Sequence, residues 1–284
     1  MKIQHFYDAF TYTLTYVVYD EKNKIAVVID PVLNYEPHSS TISTDSIKEV
    51  NEFLKKNNLD LKYILETHAH ADHISGSQEL KTLYPKAQVG IGKRITEVQS
   101  TFKKIYNMKE INESGMQFDI LLDDKSELIL GDLKIKTYFT PGHTPACASY
   151  LIEDALFTGD ALFMPDFGTG RCDFPKGSAK DLYRSVHDTI YSLPDNTRIF
   201  VGHDYQPGGR ELKFETTVGE SKKNNIQLKE HTGLEEFIHF REERDKTLNA
   251  PKLLLQSIQI NINAGELPEE EDNGMSYLKF PINR

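Results

Sequence analysis

Between Ile3 and Asp30 the chain follows a strand-like pattern. Thr11 to Tyr19 is rich in β-branched and aromatic residues, Asp20 to Lys24 is polar, and Ile25 to Ile29 is an unbroken apolar run. This predicts a hairpin at the edge of a sheet, ended by Asp30-Pro31, with a polar loop leading on to Thr44 or Asp45 as a helix cap. Ile47, Val50, Phe53 and Leu54 then fall on one face of a helix over Ser46 to Asn57. A short strand, Leu61 to Leu65, runs straight into Thr67. Further helices are predicted from Gly76 to Tyr84, from about Arg94 to Tyr106 and over Leu234 to Leu248, and strands at Glu127 to Leu130 and Leu133 to Phe139. Strands and helices alternate with no repeat period and no low-complexity linker, which favours one compact α/β arrangement.

The chemistry gathers where certain strands end. Thr67-His68-Ala69-His70-Ala71-Asp72-His73 puts three imidazoles and a carboxylate in one short stretch. Such groups cost free energy when buried without partners, whereas zinc and non-haem iron prefer them as ligands. Three more apolar strands end in the same way: Phe139 leads to His143, Phe157 to Asp160, and Val201 to His203. Ligands in α/β proteins collect at one edge of the sheet, and Gly142, Gly159 and Gly202 stand just before the three later candidates, where the backbone must turn sharply.

Composition narrows the function classes. The chain has 284 residues, 38% hydrophobic and 27% charged, an ordinary globular balance. Its formal net charge of -10 argues against a nucleic-acid partner, which would need a basic stripe. No run approaches a membrane span, and the start Met1-Lys2-Ile3-Gln4-His5 has no apolar signal core, so the expectation is a cytoplasmic protein. Two cysteines, Cys147 and Cys172, exclude a disulfide scaffold and are read as reduced, partly buried thiols. His5, His38, His187, His231 and His239 lack ligand context and are read as surface or packing residues.

The Thr-His-x-His-x-Asp-His signature at Thr67 to His73, followed by His143, Asp160 and His203 in order, resembles the metallo-β-lactamase superfamily. The resemblance covers roughly the first 215 residues and implies a four-layer αββα sandwich with metal between the sheet edges. It implies one such domain over residues 1–284, with 234–284 a helical extension packed on it. The persulfide dioxygenase branch is similar through Ile74-Ser75-Gly76, through Thr140-Pro141-Gly142-His143-Thr144-Pro145 and through Gly170-Arg171-Cys172-Asp173-Phe174. Cys172 departs from that branch, which carries threonine there, and the loop from Ala161 to Thr169 looks longer than in its shorter members. A longer, β-lactamase hydrolase-like subgroup resembles the chain through Glu215 to Glu220 and on to the carboxyl end.

The dioxygenase resemblance implies one Fe(2+) per chain on His68, His143 and Asp160, oxidation of the terminal sulfur of glutathione persulfide to sulfite with O2, and support roles for His70, Asp72, His73 and His203. The alternative it implies is a glyoxalase II-like glutathione thioester hydrolase with Zn(2+) or a mixed dinuclear Fe/Zn/Mn site. There His68, His70 and His143 would hold one metal, Asp72, His73 and His203 the second, and Asp160 would bridge. Tyr205 and the run Arg241 to Asp245 resemble the part of that branch that grips glutathione, which makes Arg171, Tyr205, Arg241 and Arg244 the candidate substrate-binding residues. For Arg241 and Arg244 a solvated helix face is the competing reading, and Arg171 could instead pair with Asp173 or Asp166. The apolar residues Leu253 to Leu255 and the alternating Ile258, Ile260 and Ile262 could cap the core or form a subunit contact, and a homo-oligomer is expected on resemblance.

Overall fold

The structure is a computed structural model, and it describes residues 1–282. The amino-terminal half runs β1 (Lys2–Asp8), β2 (Thr13–Asp20), β3 (Ile25–Ile29), β4 (Val32–Glu36), β5 (Thr41–Ser43), α1 (Asp45–Lys56), β6 (Asp60–Glu66), β7 (Ile74–Ser75), α2 (Ser77–Leu83), β8 (Gln88–Gly92), α3 (Ile95–Tyr106) and β9 (Ile120–Leu122). The carboxyl half follows with β10 (Glu127–Leu130), β11 (Leu133–Phe139), β12 (Ala148–Ile152), β13 (Ala155–Phe157), α4 (Ala179–Arg184), β14 (Arg198–Phe200), β15 (Glu215–Thr217), α5 (Val218–Asn224), α6 (Leu234–Asp245) and α7 (Leu254–Asn261). Two six-stranded sheets result, in the orders β1-β2-β3-β6-β8-β9 and β10-β11-β12-β13-β14-β15.

The residues of β2 and β3 show why the sheets stack with helices outside them. Leu14, Tyr16, Val18, Val27 and Ile29 point into the core shared by the two sheets, while Val17, Ala26 and Val28 point to the outer core beneath α1, α2, α3 and α7. A strand buried on both faces reads as a continuous apolar run. The four-layer αββα sandwich follows from that two-sided burial. Among the described residues no helix is long and apolar enough to cross a membrane.

Two local expectations are revised, and two are borne out and made specific. The hairpin over residues 13–29 lies inside its sheet, because β1 pairs along β2 from Lys2↔Tyr19 to Asp8↔Thr13 and forms the edge itself. No residue of β1 is fully buried, so its apolar signal is weak. The supposed polar loop before α1 contains the β4-β5 hairpin, which pairs with β7 and is anchored by buried Val32, Leu33 and Tyr35. Thr44 occupies the cap position of α1 without a side-chain cap bond; the Ser46 N–H is instead accepted by Asn34 Oδ1 at 2.9 Å. Finally, the alternating isoleucines near the carboxyl end belong to the helix α7 and its exit, where Ile258, Ile260 and Ile262 are all buried in the outer core. The extension expected to reach Arg284 passes beyond the described residues at 283 and 284.

Candidate metal centre

The candidate donors converge because the two sheets are tied together at one edge. The Ala148 N–H donates to the Thr67 carbonyl at 2.9 Å and the Leu14 N–H to the Gly202 carbonyl at 2.9 Å. Strands β13 and β14 are parallel with Phe157 opposite Phe200, so Asp160 and His203, equally far beyond that pair, leave the sheet side by side. Gly159 has φ +49, and a Cβ there would run into Thr67 Oγ1. Only glycine adopts that conformation without strain while allowing such an approach.

Besides the cluster of Asp30, Glu66 and His70, two groups of candidate donors form. His68, His143 and Asp160 make one; His70, Asp72, His73 and His203 make the other, with the donor atoms inside each group within 4.8 Å of one another. Asp160 Oδ2 lies 3.9 Å from His68 Nε2 and 3.5 Å from His143 Nε2, and its Oδ1 lies 3.3 Å from His203 Nε2. Asp72 Oδ2 is 3.2 Å from the same His203 nitrogen. His70 stands between the two groups: its ring lies 4.1 Å from that of His73 and 4.1 Å from that of His68, with which the dinuclear arrangement would place it.

Every ring is held by one nitrogen and offers the other. His143 Nδ1 donates to the Arg171 carbonyl at 2.6 Å, and His70 Nε2 donates to Asp30 at 3.0 Å and Glu66 at 3.1 Å. His68 Nδ1 meets Thr67 Oγ1 at 3.0 Å, while His73 and His203 meet Thr13 Oγ1 through Nδ1 at 3.3 and 3.4 Å. The opposite atoms, His68 Nε2, His70 Nδ1 and His73 Nε2, are buried with no hydrogen-bond partner, as are Asp72 Oδ2 and Asp160 Oδ1. Buried polar atoms are rarely left unpaired, and rings oriented from behind by oxygen acceptors are the usual surroundings of a metal. The donor set therefore fits a metal ion of the kind that nitrogen and carboxylate ligands select.

For His68 and Asp72 the electrostatics point the same way; for His70 they favour the charged ring, which supports neighbouring ligands rather than coordinating. Burial, with the neighbouring His70 and His143, pushes His68 well below the ordinary histidine range, which leaves a neutral ring able to coordinate. Burial works against ionised Asp72, but His203 and His73 outweigh it and hold that carboxyl well below its usual range. Burial would also lower His70, yet Asp30 and Glu66 raise it well above the ordinary value.

Asp72, His143 and Asp160 line a cavity of about 460 Å³. Phe163, Phe167 and Tyr205 form one aromatic wall, with the Phe167 and Tyr205 rings stacked at 4.6 Å. Tyr205 lines the cavity and is 36% exposed; partial burial, with Asp160 and Asp72 nearby, raises its phenol well above the ordinary range, so it is a proton donor rather than a base. Arg171 lines the wall but its fork is engaged by Asp173 at 2.6 and 2.5 Å and by the Asn249 carbonyl at 2.6 Å.

Arg241 and Arg244 do not form the solvated helix face. Arg241 is 1% exposed, paired with Asp245 and bonded to Thr169 and Gln227, so its guanidinium shapes the wall and has little left to offer a ligand. Arg244 is half-buried and faces the same cavity, and among the described residues it has no ion-pair partner. Burial, then Arg241 and Arg171 beside it, lower its pKa, so the site lacks one negative charge that a ligand can supply. Both thiols are buried and inert: burial pushes Cys147 up to about 12 and raises Cys172 further.

Sequence reasoning missed the groups behind the rings: Thr13 in β2, Asp30 at the end of β3 and Glu66 at the end of β6. Asp30 had a signal, since an acidic residue closing an apolar strand shares the edge with His68. Thr13 and Glu66 had none, because threonine and a strand-end glutamate are common without such a role.

A profile of the Metallo-beta-lactamase superfamily matches residues 9–203. Over 284 residues the chain is 46% identical to Glyoxylase B2 of Dictyostelium discoideum, covering 99% of this chain and 97% of that one. It is 44% identical to a beta-lactamase hydrolase-like protein of Xylella fastidiosa over 99% of its own length, and spans 65% of that relative. It is 35% identical to the mitochondrial persulfide dioxygenase ETHE1 of Homo sapiens over 72% of this chain and 68% of that one. The crystal structure of ETHE1 from Myxococcus xanthus aligns with 94% of this chain and 100% of its own, with a TM-score of 0.76 at 30% identity.

Proposed function

The chain belongs to the metallo-beta-lactamase superfamily, and from that membership we propose that it is a glutathione persulfide dioxygenase using one ferrous ion on His68, His143 and Asp160. The observation that carries this reading is the convergence of two histidines and one carboxylate, His68, His143 and Asp160, beside a cavity that opens onto His143 and Asp160. Such a triad leaves positions free for substrate and oxygen. The likeness to ETHE1 proteins supports the same chemistry.

Ferrous iron held there supplies the redox chemistry by which the terminal persulfide sulfur is oxidised by O2. The balance is one persulfide, one O2 and one water giving glutathione, sulfite and two protons. The protein residues do the rest. The Arg171 carbonyl keeps His143 in the tautomer whose Nε2 faces Asp160. Phe163, Phe167 and Tyr205 form an apolar wall beside the donors that limits water, and the Tyr205 hydroxyl supplies a proton-bearing hydrogen-bond donor. Arg244 receives a carboxylate of the glutathione moiety at the mouth.

The second reading is a dinuclear glutathione thioester hydrolase. It draws on the four-donor group His70, Asp72, His73 and His203 and on the relative named Glyoxylase B2. Protein loaded anaerobically with iron separates the two. One iron per chain and O2 uptake on glutathione persulfide are the results expected of the dioxygenase. Two metals per chain with thioester hydrolysis favour the second reading, and a fully iron-loaded protein that takes up no O2 sinks the first.

Arg244→Ala provides a test of substrate recognition. A charge-assisted hydrogen bond is worth roughly 1.5–3 kcal/mol, so KM for the persulfide is expected to rise about tenfold or more while kcat stays close to the parent value. An equal fall in kcat with unchanged KM would remove Arg244 from the binding site.

A further inference from the structure

We infer that Asn261, in the carboxyl-terminal helix α7, is a positioning residue for the donor loop, so that a helix outside the superfamily-matched segment 9–203 sets the metal affinity of the site. This rests on the proposed metal centre, in which His68 at the head of the same loop is a ligand and His70, Asp72 and His73 support it. The Asn261 side chain is 4% exposed and turns both amide hydrogens and its oxygen toward that loop and the strand that follows it. Its Nδ2 donates to the His70 carbonyl at 2.7 Å and to the His73 carbonyl at 2.8 Å, and its Oδ1 accepts from the Ser75 N–H at 2.8 Å. The orientation of the amide is set by its partners: exchanging O and N would put an oxygen against two carbonyls and an NH2 against an N–H.

The loop needs this partner. Residues 70–73 belong to no helix or strand, so their backbone groups have no ladder to satisfy them, and buried backbone polar groups are costly when unpaired. Asn261 closes the loop from behind while the His70 and His73 rings and the Asp72 carboxylate face the opposite way, toward the centre. The helix itself is firmly seated. Gln99 of α3 donates to the Ile262 carbonyl at 2.9 Å and Gln78 of α2 to the Ala264 carbonyl at 3.0 Å. Gly265, at φ +84, lets the chain pass so close to Ser75 that a Cβ would lie 3.1 Å from its carbonyl oxygen. A residue that holds the backbone carrying metal donors tunes affinity in the way that groups behind the ligands do.

The test uses the full chain and cobalt(II), whose visible absorption reports both occupancy and ligand geometry. Asn261→Leu removes all three bonds. Asn261→Asp keeps size and the Ser75 bond but sets a carboxylate oxygen against two carbonyls. Gln259→Ala, on the same helix, removes bonds to Leu255 and Lys279 and none to the loop, so it controls for loosening of α7. Both Asn261 variants are expected to bind cobalt about 10–100-fold more weakly with an altered visible spectrum, and Gln259→Ala to match the parent. Parent-like binding by a folded Asn261 variant overturns the inference, as does an equal loss in Gln259→Ala. If Asn261→Leu fails to fold, Asn261→Asp decides. Failure of the parent chain to bind cobalt would bring down the metal reading itself, and this inference with it.

Discussion

Asp160→Ala is expected to lose bound iron and to cut sulfite formation by more than the roughly 10–100-fold that loss of a supporting hydrogen bond costs a metal site. Asp160 is the carboxylate that faces three rings at once: Oδ2 toward His68 and His143, Oδ1 toward His203. Removing it leaves two imidazoles and no carboxylate, too few donors to hold a ferrous ion with open positions. The measurement is iron per chain and O2 uptake on glutathione persulfide, with Asp72→Ala beside it. Asp72 belongs to the other donor group, so its variant should keep the first-site iron and most of the turnover. Equal loss in both variants would favour the dinuclear hydrolase. Retention of full iron in Asp160→Ala would remove the triad.

Asp245→Ala is expected to destabilise the fold by about 3–5 kcal/mol, the cost of leaving a buried charge without its partner. Arg241 sits at 1% exposure and Asp245 at 4%, with Nη2 to Oδ1 at 2.5 Å, so water cannot replace the lost carboxylate. The change reaches the centre as well. Asp245 Oδ2 accepts from the Cys172 N–H at 2.7 Å, and the preceding Arg171 carbonyl holds His143. Urea unfolding measures the loss. The double variant Arg241→Met with Asp245→Leu should recover much of it, because a buried ion pair replaced as a unit costs far less than one broken. Destabilisation by Asp245→Ala below about 1 kcal/mol would mean that the pair behaves as an exposed one.

These two sites differ in how far they could be read in advance. Asp160 follows an apolar strand and a glycine, so its place at a strand end was local information, as it was for His68, His143 and His203. Arg241 looked like one charge in a helix full of charge. Nothing in Arg241-Glu242-Glu243-Arg244-Asp245 says that one arginine lies buried against Thr169 and Gln227 while the next but two remains without an acidic partner. The difference is a property of what α6 packs against. The same holds for β1, whose weak alternation hid an edge strand, and for the alternating isoleucines, which the buried surroundings of α7 hold in and just beyond a helix.

By itself, the sequence determined the α/β class, the layered sandwich through its resemblance, and the seven candidate donor positions, because strand period, glycine turns and histidine spacing act over a few residues. The tertiary structure alone decided that those candidates converge, which arginine remains unpaired at the cavity, and that Thr13, Asp30, Glu66 and Asn261 stand behind the rings or the loop. Those outcomes depend on distances between segments up to about two hundred positions apart in the chain, which only the packing of the two sheets and the last helix brings within hydrogen-bonding reach.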